Sequence, residues 1–182
     1  MSALIVLFLV IGFLSVFGQM IIPELAFFNA KPELSSLFVI YFTLKLPFFY
    51  AFSFSLYAGI LSDIVIPGTF GTTSLCLTSL FLFISILKPY LEKIGNRWMV
   101  FPCAAVGVFF YSLMNYFLYE FESHQWHWTM EFWTKLVSIA FLSTLLALPL
   151  YFVMDLLFFL LHIPTAKEEL FPSFPQKKDN LS

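Results

Sequence analysis

A series of apolar stretches, each close to the thickness of a bilayer's hydrocarbon core, constrains this chain more than any other feature. The first, Ala3 to Ile22, is about 30 Å long as an α-helix and matches a core of about 30 Å. Lipid offers no partner to backbone amides and carbonyls, so such stretches are expected to be helices. No basic leader precedes the first one and further apolar stretches follow it, so it reads as a retained span and not as a cleaved signal peptide. Only 11% of the 182 residues are charged while 60% are hydrophobic, and the mean hydropathy is +0.91. An ordinary soluble domain is about 25% charged, so this chain has too little polar surface for a water-soluble globule.

After a loop at Pro23 to Glu33, the stretch from Leu34 to Ile66 is interrupted only by Lys45 and Pro47. One helix over that stretch would be about 50 Å long. A lysine at mid-membrane costs about 3 kcal/mol and a proline removes a helix hydrogen bond, so Lys45 and Pro47 fit a tight turn at an interface. The expected spans are therefore 3–22, 34–44, 48–66, 70–87, 98–119 and 136–162. The second is short and needs Lys45 to snorkel, or the bilayer to thin. Pro67-Gly68-Thr69 marks the third turn, Lys88 to Arg97 a polar connection, and Glu120 to Thr134 a polar, aromatic-rich loop. Leu156 to Ile163 is expected to follow an interface. The fold class is an all-α, polytopic transmembrane bundle of about six helices over residues 1–164, followed by a flexible tail at 165–182.

Basic residues near span ends set orientation. With both termini cytoplasmic, Lys45, Lys88, Lys93, Arg97, Lys167, Lys177 and Lys178 lie inside, and only Lys31 and Lys135 outside. A five-span arrangement with an external N-terminus satisfies the rule nearly as well but buries Lys45. Nucleic-acid binding is excluded, because no run of Lys or Arg could neutralise a phosphate backbone.

Asp63 stands out, since an ionisable group in a transmembrane stretch is a functional hypothesis by default. It lies about 5 Å from the end of its span, where it could accept hydrogen bonds from free amides at the start of the next helix. A proton, ligand or partner role is the alternative. Asp155 is expected near the cytoplasmic end if the sixth span starts at Leu136, and deeper if that span is shifted towards His162. In the first placement it lies near the opposite face from Asp63, which argues against a paired-carboxylate acid and base. His124 and His127, near Glu120, Glu122 and Glu131, match no recognised zinc spacing. Their neighbours Trp126, Trp128 and Trp133 read as an interfacial aromatic belt. Cys76 and Cys103 read as small buried apolar side chains. Neither a nucleophile motif nor a phosphate-binding glycine loop occurs, so no catalytic residue, metal or cofactor is expected. Small residues at Ser53, Ser55, Ala58, Gly59 and Ser62, then Gly71, Ser74, Cys76 and Ser79, suit close helix packing.

Lys31-Pro32-Glu33-Leu34, then Gly59-Ile60-Leu61-Ser62-Asp63, then Pro67-Gly68-Thr69-Phe70-Gly71 resemble the pattern of the bacterial rod shape-determining protein MreD family. The similarity covers about residues 30–97, with hydropathy alone carrying it further. The resemblance implies a non-catalytic subunit of the cell-elongation complex in the inner membrane, in contact with membrane lipids and acting with MreC, MreB and the peptidoglycan-synthesising enzymes. The positions it carries over are Lys31, Pro32, Gly59, Asp63, Gly68 and Gly71. Where family members often show several arginines between the second and third spans, this chain has only Lys45. A rival reading is the substrate-binding membrane subunit of a vitamin-type importer, with Asp63 and the Trp-rich loop lining an external pocket. A membrane enzyme or chaperone with a diffuse lipid site ranks last.

Overall fold

The computed structural model describes residues 2–22, 30–65, 71–94, 100–123 and 130–161. They form an all-α bundle of six helices: α1 Ser2–Ile21, α2 Leu34–Lys45, α3 Phe48–Val65, α4 Thr72–Ile94, α5 Val100–Ser123 and α6 Met130–Leu160. Four of them, α3 to α6, are long and apolar enough to cross a membrane. The chain is a multi-span helical membrane protein.

The break between α2 and α3 falls where sequence placed it. Leu46 is extended, its N–H closing α2 on the Phe42 carbonyl at 2.8 Å, and Pro47 follows in a position where its missing N–H costs nothing. α2 has 12 residues, about 18 Å of helix. Its shortness makes sense from its surroundings: α2 packs against all five other helices, and every residue from Leu34 to Thr43 is buried. A helix buried on all faces must carry apolar side chains all round. Two of its hydroxyls turn back towards the backbone of the same segment, Ser36 Oγ to the Glu33 carbonyl at 2.8 Å and Thr43 Oγ1 to the Val39 carbonyl at 2.7 Å.

Partners along α2 give the directions of its neighbours. α1 runs antiparallel to it, with Phe8 edge-on to Phe42 at 5.1 Å and Gly18 beside Leu34. α6 runs parallel to it: Ser143 meets Glu33, Tyr151 meets Leu37, and Asp155 meets Lys45. An aromatic cluster fills the half near Lys45, where Phe42 and Phe54 ring centroids are 4.3 Å apart and Phe158 closes on Tyr41 at 5.6 Å. In lipid such contacts are not driven by water exclusion, so dispersion between well-fitted surfaces holds the helices together. The widest apolar exposure is on α1 and α6, at Ile5, Val10, Leu14, Val137, Phe141, Phe152 and Phe159, as expected of faces turned to lipid.

Two expectations about loops need correcting. The polar connection from Lys88 is helical as far as Ile94, with Pro89 inside α4. The loop at 120–134 is helical at both ends, since α5 continues to Ser123 and α6 begins at Met130. The segment from Leu156 continues α6 as far as Leu160. Hydropathy marks where side chains leave lipid, whereas the backbone ladder does not have to stop there, and near the 120–134 loop Tyr116 stacks on Phe132 at 3.8 Å and joins α5 to α6. The expected turn at Pro67-Gly68-Thr69 and the tail at 165–182 lie outside the described residues.

Candidate functional site

Polar side chains gather at the two ends of the bundle. At the end where α2 meets α3, Lys45 is the last residue of α2, and its Nζ lies 2.8 Å from Asp155 Oδ1 on α6. The Tyr41 hydroxyl donates to the same carboxylate at 2.6 Å, and the Lys45 ammonium lies 5.8 Å from the Tyr41 ring centroid. Asp155 is therefore half of a fastening between α2 and α6. The pair is partly exposed, so its Coulombic share of stability is small.

Lys88 reaches across from α4 to the same end. Its Nζ donates to the carbonyls of Thr43 at 3.0 Å and Leu46 at 3.3 Å, two acceptors that the end of α2 leaves without a helical donor. A cation at a helix C-terminus also complements the helix dipole. Lys88→Met is expected to lower stability by about 1–3 kcal/mol, read as a fall in the thermal midpoint of the detergent-solubilised protein. Lys93 belongs to the last turn of α4, at this same end, while Arg97 lies outside the described residues.

At the opposite end, Asp63 on α3 caps α4. Its carboxylate accepts the backbone N–H of Gly71 at 3.1 Å, Thr73 at 3.0 Å and Ser74 at 3.1 Å. The capping role foreseen for Asp63 is the one it has. Gly71 takes a φ of +98° to present its N–H, a conformation that L side chains rarely adopt. Gly59, one turn before Asp63, lies so close to α4 that a Cβ there would run into the Ser74 backbone. Gly59, Asp63 and Gly71, three positions of the same motif pattern, thus build a single α3–α4 junction. Gly68 lies outside the described residues.

Beside that junction is a cluster that sequence reading passed over. The Gln19 side chain on α1 accepts the Leu34 N–H at 2.8 Å and donates to Glu33 Oε2 at 3.0 Å, and the Glu33 N–H donates to Ser143 Oγ on α6 at 3.0 Å. The α2 N-terminus is thereby tied to α1 and α6 at once. Burial pushes the Glu33 carboxyl up from 4.5 to about 7, with Lys31 pulling it back down. Of the two motif residues preceding Glu33, Pro32 is buried and Lys31 half-buried. The available signal was Gln19, an amide in an otherwise apolar span, together with the shortness of the second span.

Of the three tryptophans read as an interfacial belt, one is among the described residues. Trp133, in the first turns of α6, is 40% exposed and packs edge-on to Phe132 at 5.3 Å; Trp126 and Trp128 lie outside the described residues, as do His124 and His127. Among the described residues no cluster of His, Cys, Asp and Glu could hold a metal ion. Cys76 and Cys103 are buried free thiols. Comparison of the chain with known protein families, with curated proteins and with solved structures finds no match.

Proposed function

We propose that this protein is a non-catalytic membrane scaffold of the bacterial cell-elongation complex, the role implied by its resemblance to the MreD family. The observation that carries the reading is the convergence of Gly59, Asp63 and Gly71, three of the positions on which the resemblance rests, at one helix junction. The use of charge agrees with it: Asp63, Lys88, Lys45 and Asp155 all fasten one helix to another. A scaffold needs fixed helix faces, and these contacts fix them.

In this reading the Lys45 end, which also holds Lys88 and Lys93, faces the cytoplasm of a bacterial inner membrane with both termini on that side, and the Asp63 end faces out. Exposed faces of α1 and α6 would meet lipid and the spans of partners such as MreC. Co-purification of the full chain from native membranes is expected to bring down MreC and other elongation proteins, and depletion in a rod-shaped host to round the cells. If neither happens, the assignment to this complex is wrong.

One observation favours a second reading, a substrate-binding membrane subunit of a small-molecule importer. Short helices with polar ends inside a bundle are where transporters hold substrate, and α2, with Gln19, Glu33 and Ser143 at its start, has that form. A rise in thermal midpoint with a vitamin-type ligand, since a ligand that binds the folded state stabilises it, would favour the importer over the scaffold.

A further inference from the structure

At the Gln19–Glu33–Ser143 cluster three separate helices meet through polar bonds around an ionisable group. Both amides that open α2 are held by side chains from other helices, Leu34 N–H by Gln19 and Glu33 N–H by Ser143. The Glu33 carboxyl sits between them and takes the remaining Gln19 hydrogen bond. A neutral carboxyl fits this place: it accepts from Gln19 and needs little further solvation. A carboxylate there requires more donors than Gln19 supplies, and water is the nearest source. The side chain is part-buried, and bringing a full shell of water around it requires the helices to part.

We propose that Glu33 is a proton-operated latch: the neutral carboxyl keeps the start of α2 closed against α1 and α6, and loss of its proton to water opens that junction.

Linkage gives the sign. Packing raises the affinity of the carboxyl for its proton, so the proton strengthens the packing by the same factor. The contribution of the neutral form is complete below 4.5 and lost as pH rises through about 7. That interval corresponds to at most about 300-fold in the closing equilibrium. The charged and titratable groups around Glu33 leave the assignment intact. α1 has no ionisable side chain along its length, and α6 presents the uncharged Ser143. Cys76 on α4 and Tyr111 on α5 lie within electrostatic reach of both Glu33 and Asp63, and Lys31 acts from the same segment. Thiol and phenol remain neutral through the range in which Glu33 titrates, and Asp63 is committed to three amides.

The test uses the full chain in lipid nanodiscs, with amide exchange at Glu33 and Leu34 corrected for its intrinsic pH dependence and the carboxyl infrared band followed in parallel. In the wild type, protection of both amides is expected to fall by ten- to about 300-fold as pH rises through the neutral range, in step with loss of the protonated-carboxyl band. Glu33→Gln should remove that band and hold protection constant. Lys31→Gln should move the wild-type midpoint to higher pH, because the ammonium that favours the carboxylate is gone, and this arm stands even if Glu33→Gln does not fold. Protection independent of pH in the wild type, the same pH dependence in Glu33→Gln, or a midpoint unmoved in Lys31→Gln would each overturn the latch.

Discussion

Replacing Asp63 by alanine is expected to lower the stability of the bundle by about 2–4 kcal/mol, at the upper end of what losing a helix cap costs. The loss is large because one carboxylate serves the amides of Gly71, Thr73 and Ser74, and a charge-assisted bond is about twice as strong as a neutral one. In the variant, these donors must find water at a junction where α3 and α4 are in close contact. Asp63→Asn is the informative control. Its single carbonyl oxygen can serve only part of the set and its amide group repels the rest, so it should fall between wild type and alanine. Thermal unfolding in one detergent, with α4 helicity followed by amide exchange at Thr73 and Ser74, distinguishes this cap from a proton-carrying role. A proton carrier would lose function in Asp63→Asn while keeping its midpoint.

Gly59→Leu should be the more damaging change. The obstacle at Gly59 is the backbone of Ser74 and not the end of a flexible side chain, so rotamer changes cannot relieve it and the two helices must separate. Overpacking of this kind costs about 1–3 kcal/mol or more, and here it also draws Asp63 away from the amides it caps. The two effects share one junction, so they should not add: in a double variant Gly59→Leu/Asp63→Ala the combined loss is expected to fall short of the sum. Additive losses would mean that the close approach and the cap act independently. Gly59→Ala meets the same backbone with one carbon and should give a smaller loss in the same direction.

How much of this was legible in the chain differs from one residue to the next. Asp63 could be read because its cap partners are close in sequence, just past a Pro-Gly pair, so one helix end and the next start had to be neighbours. Lys45 and Pro47 could be read because a charge and a missing N–H together exclude a continuous helix through lipid. Lys88 was counted only as a basic residue for orientation. Its partners are the carbonyls of Thr43 and Leu46 on α2, and no local pattern announces a contact across so many residues. Gln19 and Ser143 were missed for the same reason, and Glu33 was read only as part of the Lys31-Pro32-Glu33-Leu34 motif, because their contacts exist only when α1, α2 and α6 are brought together.

By itself the sequence determined that the chain lives in lipid, that it is helical, and roughly where each helix passes out of the apolar layer. Those follow from transfer energies and backbone satisfaction, which act residue by residue along a segment. It did not determine that the shortest helix is the hub. α2 is too short to look like a confident span, yet it is enclosed by all five others, because in lipid hydrophobicity is the same on every side and only shape selects which helix goes to the centre. Tertiary structure also decided which polar groups meet. Asp155 became a tether for Lys45, Lys88 a cap for α2, and Glu33 a carboxyl held between three helices, since hydrogen bonds between distant segments exist only once packing has set the distances.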